Sequence, residues 1–190
     1  QPKVDAHTGE VLAFEALVRW MHPVRGLVPP NDFIPIAEST GLIGPLTHWV
    51  VASALAQLAE WSGTRPGLSV AVNISARNLR DDLAGWILNR LAAHRVKASQ
   101  LVLEITETSF ATDPVRATGL LEELNAAGVR VSLDDFGQGY TSLGSLGHLP
   151  VSELKIDRGF VVAMQHSQED RALGAAAMEL GQQPGLTVVA

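Results

Sequence analysis

Cysteine is absent from this sequence of 190 residues. Its absence excludes disulfide bonds and thiolate ligands, so any bound metal ion must be held by oxygen or imidazole groups. Long hydrophobic runs are absent too, since no stretch approaches the roughly 18 consecutive apolar residues that a membrane span requires. We therefore expect no membrane contact from this segment.

Positive charge is also scarce, because 14 Lys and Arg residues face 20 Asp and Glu residues and leave a formal net charge of −6. A chain with this balance is not a scaffold for long nucleic acids. An anionic ligand would need a bound metal ion or a few well-placed basic side chains.

Hydrophobic residues make up 46% of the sequence and charged residues 18%, as in ordinary globular proteins. The length predicts one domain over residues 1–190, and the opening Gln1-Pro2 in place of Met indicates a piece of a longer multidomain protein.

Strands and helices are expected to alternate along most of the chain. The short turn His7-Thr8-Gly9-Glu10 predicts an antiparallel hairpin whose second strand runs from Val11 to Trp20, and a loop rich in Gly and Pro follows. Further strands are predicted at residues 68–74, 101–106, 129–134, 153–156 and 186–189. Helices are predicted from a cap at Asn31 or Asp32 to Glu38, from Pro45 to Trp61, and at residues 77–94, 113–128, 142–149 and 167–180. Apolar strands separated by helices are typical of a parallel sheet covered on both faces, here with an antiparallel first strand.

A polar group stands at or near the carboxyl end, or on the inner face, of five predicted strands. These groups are Glu15 with Arg19, Asn73, Glu104, Asp134 with Asp135, and Lys155 with Asp157. In barrels and open α/β sheets, ligands bind at the carboxyl ends of the strands. Each group has an ordinary structural explanation on its own, as a surface acid, a helix cap, a solvated turn or a salt bridge. Their recurrence on five strands favours one functional site.

Carboxylates and an amide without cysteine form a hard-oxygen site that suits Mg²⁺, Mn²⁺ or Ca²⁺. The adjacent acids Asp134 and Asp135 could hold two ions with one carboxylate bridging, which is the usual device for phosphoryl displacement. Lys155 could orient the attacking water or offset phosphate charge, and Arg19 could grip a phosphate oxygen. Successive side chains of a strand point to opposite faces, so both aspartates reach one site only if the backbone turns there. We expect Gly137 and Gly139 to permit that turn.

These residues belong to five motifs, which are Glu15-Ala-Leu-Val-Arg19, Val72-Asn-Ile-Ser75, Glu104-Ile-Thr-Glu107, Asp134-Asp-Phe-Gly137 and Lys155-Ile-Asp157. In this order they closely resemble the motifs of the EAL-domain family, bacterial phosphodiesterases that linearise cyclic di-GMP. The resemblance also includes Gln1-Pro2, Phe33-Ile-Pro-Ile-Ala-Glu38 and Leu149-Pro150. It therefore extends from the first residue to the last.

The resemblance implies an α/β fold, a TIM-like (β/α)₈ barrel with an antiparallel first strand, which takes two Mg²⁺ or Mn²⁺ ions and hydrolyses cyclic di-GMP to linear 5′-pGpG. The implied metal ligands are Glu15, Asn73, Glu104, Asp134 as the bridge, and Asp135. The implied catalytic residues are Glu15, Asp134, Asp135 and Lys155, of which Lys155 attends the attacking water. The residues implied to lie against the substrate are Gln1, Leu17, Arg19 and Asp157. Glu107 is implied to brace the loop after Asp135, a loop that the family uses in homodimer contacts. The resemblance also implies a bacterial cytoplasmic location, even where a parent protein is attached to a membrane.

The sequence departs from the family pattern in two places. Gln138 stands where the family usually has a small residue such as Thr, and we expect this change to affect the loop. The chain ends at Ala190, before the Glu-Gly-Val-Glu segment that supplies another acid and before the eighth strand, so we expect a truncated barrel that is unstable or self-associating by itself and weak in turnover. Two alternatives to catalysis stay open, a cyclic di-GMP receptor that does not cleave its ligand and a regulatory dimerisation module.

Overall fold

The computed structural model of the chain describes residues 1–79, 82–137, 149–164, 166, 171, 174–175, 179 and 185–190. The strands within these residues are β1 (Pro2–Val4), β2 (Val11–Ala16), β3 (Trp20–His22), β4 (Gly26–Val28), β5 (Ser69–Asn73), β6 (Leu101–Thr106), β7 (Arg130–Phe136), β8 (Glu153–Ile156) and β9 (Thr187–Val189). The helices are α1 (Pro30–Thr40), α2 (Ile43–Ser62), α3 (Leu83–His94), α4 (Glu107–Thr112), α5 (Pro114–Ala126) and α6 (Arg158–Ala163). None of the helices in the described residues combines the length and the apolar character needed to cross a bilayer.

Seven of the strands form one sheet in the order β1-β2-β5-β6-β7-β8-β9, while β3 and β4 pair separately. Strand β1 is antiparallel to β2, and each later pair in the sheet is parallel. The helices α1 and α2 connect β2 to β5 after the small hairpin, α3 connects β5 to β6, and α4 with α5 connects β6 to β7. The α/β architecture with an antiparallel first strand, predicted from the sequence, is confirmed.

The large sheet is curled. Lys3 on β1 and Glu153 on β8 have four strands between them, which in a flat sheet would place their own strands about 24 Å apart. The ammonium of Lys3 nevertheless lies 2.6 Å from a carboxylate oxygen of Glu153. The inner face of the sheet therefore closes around a common interior, as the predicted barrel-type fold requires.

The apolar core lies between the outer face of the curled sheet and the helices. Along β6, Leu101, Leu103 and Ile105 are fully buried and belong to this core. The intervening residue Glu104 is also buried, but it faces the interior of the curl because side chains alternate along a strand. One strand thus packs against helices with one face and presents a charged group to the interior with the other.

The predicted extent of the second strand is wrong. Its ladder with β5 stops at the pair of Ala16 with Val72, so β2 ends before the predicted boundary at Trp20. Residues 17–19 leave the sheet and line a cavity instead. The following stretch, predicted to be a loop, contains the hairpin of β3 and β4, in which Gly26 has a φ of +72°.

Four of the six predicted helices, those at 31–38, 45–61, 77–94 and 113–128, correspond to helices of the described residues, but their bounds differ. Helix α1 begins at Pro30 with no side-chain cap, so the predicted cap at Asn31 or Asp32 is wrong. The prolines at its start already fix φ near the helical value. The predicted helix at residues 77–94 begins as a 3₁₀ turn, Ala76–Asn78, before α3. The helices predicted at 142–149 and 167–180 lie largely outside the described residues.

Two short helices, α4 and α6, were not predicted. Each directly follows a strand and is capped by a side chain from the strand end. Thr106 Oγ1 accepts a hydrogen bond from the amide of Ser109 at 3.1 Å, and Asp157 Oδ1 accepts one from the amide of Phe160 at 3.2 Å. Helices of six residues show too few turns for an apolar period to reveal them.

Gly137 is constrained at the end of β7. Its φ is +111°, and a Cβ placed on it would lie 2.9 Å from the ring of Phe160. We expect Gly137→Ala to lower the free energy of unfolding by about 1–3 kcal/mol, because backbone strain and overpacking both act there. Urea and thermal melts should show this loss, whereas Gly119→Ala on α5, whose Cβ would meet open space, should leave stability unchanged or raise it. Equal melting of the two variants would contradict the constraint.

Candidate functional site

The ammonium of Lys155 lies at the centre of an acidic cluster. Its Nζ is 3.0 Å from Oε2 of Glu104, 2.9 Å from Oδ2 of Asp134 and 3.5 Å from Oε2 of Glu15. The four residues come from β8, β6, β7 and β2. Four strands of the curled sheet thus bring four of the predicted site residues to one point.

Glu15 is held from two directions. Asn73, the last residue of β5, donates a side-chain hydrogen bond of 2.9 Å to Oε1 of Glu15. The backbone of Glu15 exchanges two hydrogen bonds with Gln1, each 2.8 Å long. With Oε1 directed to the amide of Asn73, the second oxygen of Glu15 faces Lys155.

The backbone turns first at Asp135, and Gly137 also has a positive φ, of +111°. Gly139, the other glycine expected to permit the turn, lies outside the described residues. Asp135 has a φ of +57°, in the left-handed region that aspartate tolerates better than most residues. Its amide donates to Oδ1 of Asp134 at 2.9 Å, and the register of β7 with β8 shifts between Leu133 and Phe136. The two adjacent aspartates are therefore released from the strict alternation of an extended strand.

Burial and charge oppose each other at the centre of the cluster. Burial lowers the pKa of Lys155, but the carboxylates of Glu104 and Asp134 outweigh it and hold that pKa well above its usual value. Burial raises the pKa of Glu104, and the ammonium groups of Lys3 and Lys155 offset only part of this effect. The lysine therefore keeps its proton and its positive charge among the acids.

The two acids at the edge of the cluster shift in opposite directions. Burial raises the pKa of Glu15, but the hydrogen bond from Asn73 and the charge of Lys155 together bring the pKa below its usual value. The pKa of Asp135 is raised, first by burial and then by the negative charges of Asp134 and another neighbouring aspartate. Glu15 therefore loses its proton more readily than an ordinary glutamate does, and Asp135 loses its proton less readily than an ordinary aspartate does.

The donor chemistry of the cluster fits a hard divalent cation, although the acids must move to bind one. Within the described ranges, no group of three acidic or histidine side chains could hold a metal ion as the side chains lie. The carboxylate oxygens instead surround Lys155 Nζ at 2.9–3.5 Å. Bonds from oxygen to Mg²⁺ or Ca²⁺ are about 2.0–2.6 Å long, so the carboxylates would have to rearrange to bring several oxygens this close to one ion.

A cavity of about 560 Å³ adjoins the cluster, within the usual size range of small-molecule sites. Its lining includes the predicted residues Leu17, Arg19, Asn73 and Glu104. Arg19 is exposed, and its guanidinium donates to the carbonyl of Val18 at 2.9 Å. Ser75 donates to Glu38 at 2.6 Å, which ties helix α1 to the end of β5 at the wall of the cavity.

The remaining predicted residues lie around this cavity and cluster with less direct contacts. Gln1 meets Glu15 through its backbone. Asp157 caps α6, and its charge contributes to the raised pKa of Asp135. Glu107 is buried at the start of α4. The loop that it was predicted to brace, including Gln138 and the predicted dimer contact, lies mainly in residues 138–148, outside the described part of the chain.

Two residues of the site were missed by sequence reasoning. Lys3 on β1 lies 2.7 Å from Oε1 of Glu104 and 2.6 Å from Oε1 of Glu153 on β8. Glu153 could have been found, because it stands two residues before Lys155 and must share its face of the strand. Lys3 gave a weaker signal, since a single charged residue in a three-residue edge strand is more often a surface residue.

The whole sequence matches one family model, described as EAL domain, over residues 1–190. The chain is 43% identical over 192 residues to MucR of Pseudomonas aeruginosa, which is named as a bifunctional diguanylate cyclase/cyclic di-GMP phosphodiesterase. This match covers 100% of the present chain and 28% of MucR. It is 37% identical over 191 residues to a second protein of that bacterium, which is named as a cyclic di-GMP phosphodiesterase. That match covers 100% of the present chain and 32% of the relative. The chain thus spans about a third or less of the length of these relatives.

A solved structure is similar over nearly the whole chain. The PaMucR phosphodiesterase in complex with c-di-GMP matches with a TM-score of 0.91 and 42% sequence identity, over 99% of this chain and 77% of that one.

Proposed function

Because this chain belongs to the EAL-domain family, we propose that it is a metal-dependent phosphodiesterase that hydrolyses cyclic di-GMP to linear 5′-pGpG. The observation that carries the proposal is the convergence of Glu15, Glu104 and Asp134 on Lys155, beside a cavity of about 560 Å³. Two relatives are named for this activity, and a similar solved structure is a complex with c-di-GMP.

EAL phosphodiesterases generally depend on divalent cations, and the acids of this chain supply suitable ligands. We assign Mg²⁺ or Mn²⁺ in two positions, held by Glu15, Asn73, Glu104, Asp134 and Asp135. Asp134 would be shared by the two ions, as the family resemblance implies, and in this structure its two oxygens accept from Lys155 and from the amide of Asp135. When bound, the ions supply an activated water and stabilise the charge of the phosphoryl group during displacement.

Lys155 acts on the attacking water and the phosphate by donating hydrogen bonds. An ammonium has three donors and no acceptor, so it can orient a water molecule and offset negative charge but cannot remove a proton. The surrounding carboxylates keep the ammonium at the cluster. We therefore assign Lys155 an orienting and electrostatic role.

The substrate contacts are assigned to the cavity beside the cluster. Arg19 and Leu17 lie in its wall, so the guanidinium can grip a phosphate oxygen while the leucine packs against an apolar part of the substrate. Gln1, directly before β1, and Asp157, directly after β8, flank the acids. These four residues are the proposed binding group.

Arg19→Ala should act mainly on substrate affinity. A charge-assisted hydrogen bond is worth about 1.5–3 kcal/mol, so we expect KM and the Kd of cyclic di-GMP to rise about 10–100-fold while kcat changes little. Arg65→Ala, which removes an exposed arginine from the loop after α2, is the matched control and should leave both constants unchanged. A defect in kcat alone would contradict the assignment of Arg19 to ground-state binding.

The activity itself is tested by incubating the chain with cyclic di-GMP and Mn²⁺ and separating the products by ion-exchange chromatography. We expect linear 5′-pGpG, and its loss in Lys155→Met. Binding of cyclic di-GMP without turnover would instead identify a receptor. Absence of both binding and turnover, in a chain that melts cooperatively, would leave the regulatory dimerisation module.

A further inference from the structure

Lys3 lies in the first strand, yet its ammonium is held inside the curled sheet. Its side chain is 12% exposed, and Nζ lies 2.7 Å from Oε1 of Glu104 and 2.6 Å from Oε1 of Glu153. The sequence contains three lysines, and two of them, Lys3 and Lys155, donate to Glu104. Two of the three lysines of the chain thus donate to the same carboxylate.

The two oxygens of Glu104 have different partners. Oε1 accepts from Lys3 at 2.7 Å, and Oε2 accepts from Lys155 at 3.0 Å, where Asp134 accepts from the same ammonium. The side chain of Glu104 is 0% exposed, so no contact with bulk water competes for its orientation. Lys3 therefore helps to fix the orientation of the Glu104 carboxylate, with one oxygen held by Lys3 and the other facing the acidic cluster.

Lys3 and Glu153 form a layer next to the cluster on the inner face of the sheet. Glu153 stands two residues before Lys155 on β8 and so shares its face. In the register of β6, β7 and β8, Ser132 lies between Glu104 and Glu153. The ammonium of Lys3 contacts both of the acids that flank Ser132.

We propose that Lys3 is a positioning residue for the cation-binding cluster. It holds Oε1 of Glu104 in the neighbouring layer, so that Oε2 stays directed at the cluster, and Glu153 anchors Lys3 from the other side. The inference rests on the proposed metal-dependent function. Groups that orient a metal ligand typically change metal affinity or activity by about 10–100-fold when removed.

A purely neutralising role for Lys3 makes the opposite prediction for metal affinity. If Lys3 only balanced the charges of Glu104 and Glu153, its removal would lower stability, and removal of one acid together with the lysine would restore it. Loss of an ammonium near a cation site would then leave cation binding unchanged or strengthen it, because like charges repel. Positioning predicts weaker cation binding when Lys3 is removed, so the direction of the change in affinity separates the two roles.

Binding of Mn²⁺ can be measured without catalysis, from the loss of the EPR signal of the free ion. In the double variant K3M/E153M, methionine keeps the apolar stem of the lysine and the unpaired acid is removed as well. We expect this variant to melt close to the wild-type temperature and to bind Mn²⁺ with a Kd about 10–100-fold higher. Lys97→Met makes the same substitution at an exposed lysine and should bind Mn²⁺ like the wild type.

Lys3→Arg gives an independent test that does not depend on the folding of the double variant. Arginine keeps the charge but presents its donors from a longer, planar group, so neutralisation is retained while the geometry at Glu104 changes. Positioning predicts a raised Kd for Mn²⁺ with stability retained.

The outcomes separate this inference from the proposed function. A raised Kd in either folded variant supports positioning, even if the chain does not cleave cyclic di-GMP. An unchanged or lowered Kd in both variants, with a wild-type chain that binds Mn²⁺ and cleaves, overturns positioning alone. A wild-type chain that binds no Mn²⁺ overturns positioning and the metal chemistry together.

Discussion

Asp134→Asn should lower the kcat for cyclic di-GMP cleavage by at least about 10²-fold, the scale on which removal of an electrostatic stabiliser acts. Both oxygens of Asp134 are in use, because Oδ2 accepts from Lys155 at 2.9 Å and Oδ1 accepts from the amide of Asp135 at 2.9 Å. Asparagine keeps the shape and one accepting oxygen. It cannot supply the second oxygen or the negative charge that two cations would share.

Steady-state kinetics with Mn²⁺, combined with a separate measurement of cyclic di-GMP binding, should show turnover falling much more than affinity. Asp113→Asn is the matched control, since Asp113 caps α5 by accepting from the amide of Arg116 at 3.2 Å and asparagine caps helices equally well. Near-normal turnover in Asp134→Asn would show that Asp134 is a turn residue without a catalytic role.

The parallel strands were predictable because their sequence signal is local. Strands β6 and β8 have the predicted bounds, 101–106 and 153–156. Strand β6 is a run of mainly apolar residues, which burial on both faces of a parallel sheet selects. Strand β8 instead alternates charged and apolar residues, the pattern of a strand with one polar and one apolar face. The polar strand ends could also be assigned to one edge, because parallel strands share the direction of their carboxyl ends.

The features that the sequence did not reveal depend on partners distant along the chain. Strand β2 stops at Ala16 because its ladder with β5 stops there, and nothing in the alternation of residues 17–19 marks that point. The left-handed turn at Asp135 belongs to the shifted pairing of β7 with β8. The contact of Lys3 with Glu153 exists only because the sheet is curled, and curl is a property of the whole sheet.

The position of Lys155 shows how far the chemistry of a site can be predicted in the same way. Its strand, and the face of the strand on which it lies, could be predicted from the alternation of side chains along a strand and from the neighbouring motif residues. Its place at the centre of the acids, within 3.5 Å of three carboxylates, could not, because that place depends on side-chain conformations across four strands. Residue type and strand direction thus predict which groups meet, while the distances between them need the structure.

Removal of divalent cations should abolish cleavage. The site presents Glu15, Glu104, Asp134 and Asp135 to a dianionic substrate in a chain of net charge −6. Lys155 and Lys3, the second of which is shared with Glu153, cannot balance these acids. Without cations, charge repulsion opposes the approach of the phosphate, and the activated water is lost as well. Stripping with EDTA followed by dialysis should bring 5′-pGpG formation to background, and added Mn²⁺ or Mg²⁺ should restore it.

Ca²⁺ provides the sharper half of this test. It takes oxygen ligands readily but accepts more of them, at longer distances and with less strict geometry than Mg²⁺, so it should bind at the acids, compete with Mn²⁺ and support little turnover. EDTA saturated with Mn²⁺ before addition is the control for effects of the chelator itself. Undiminished cleavage after verified metal removal, or full turnover with Ca²⁺ alone, would show that the acids around Lys155 do not work through two hard cations held in strict geometry.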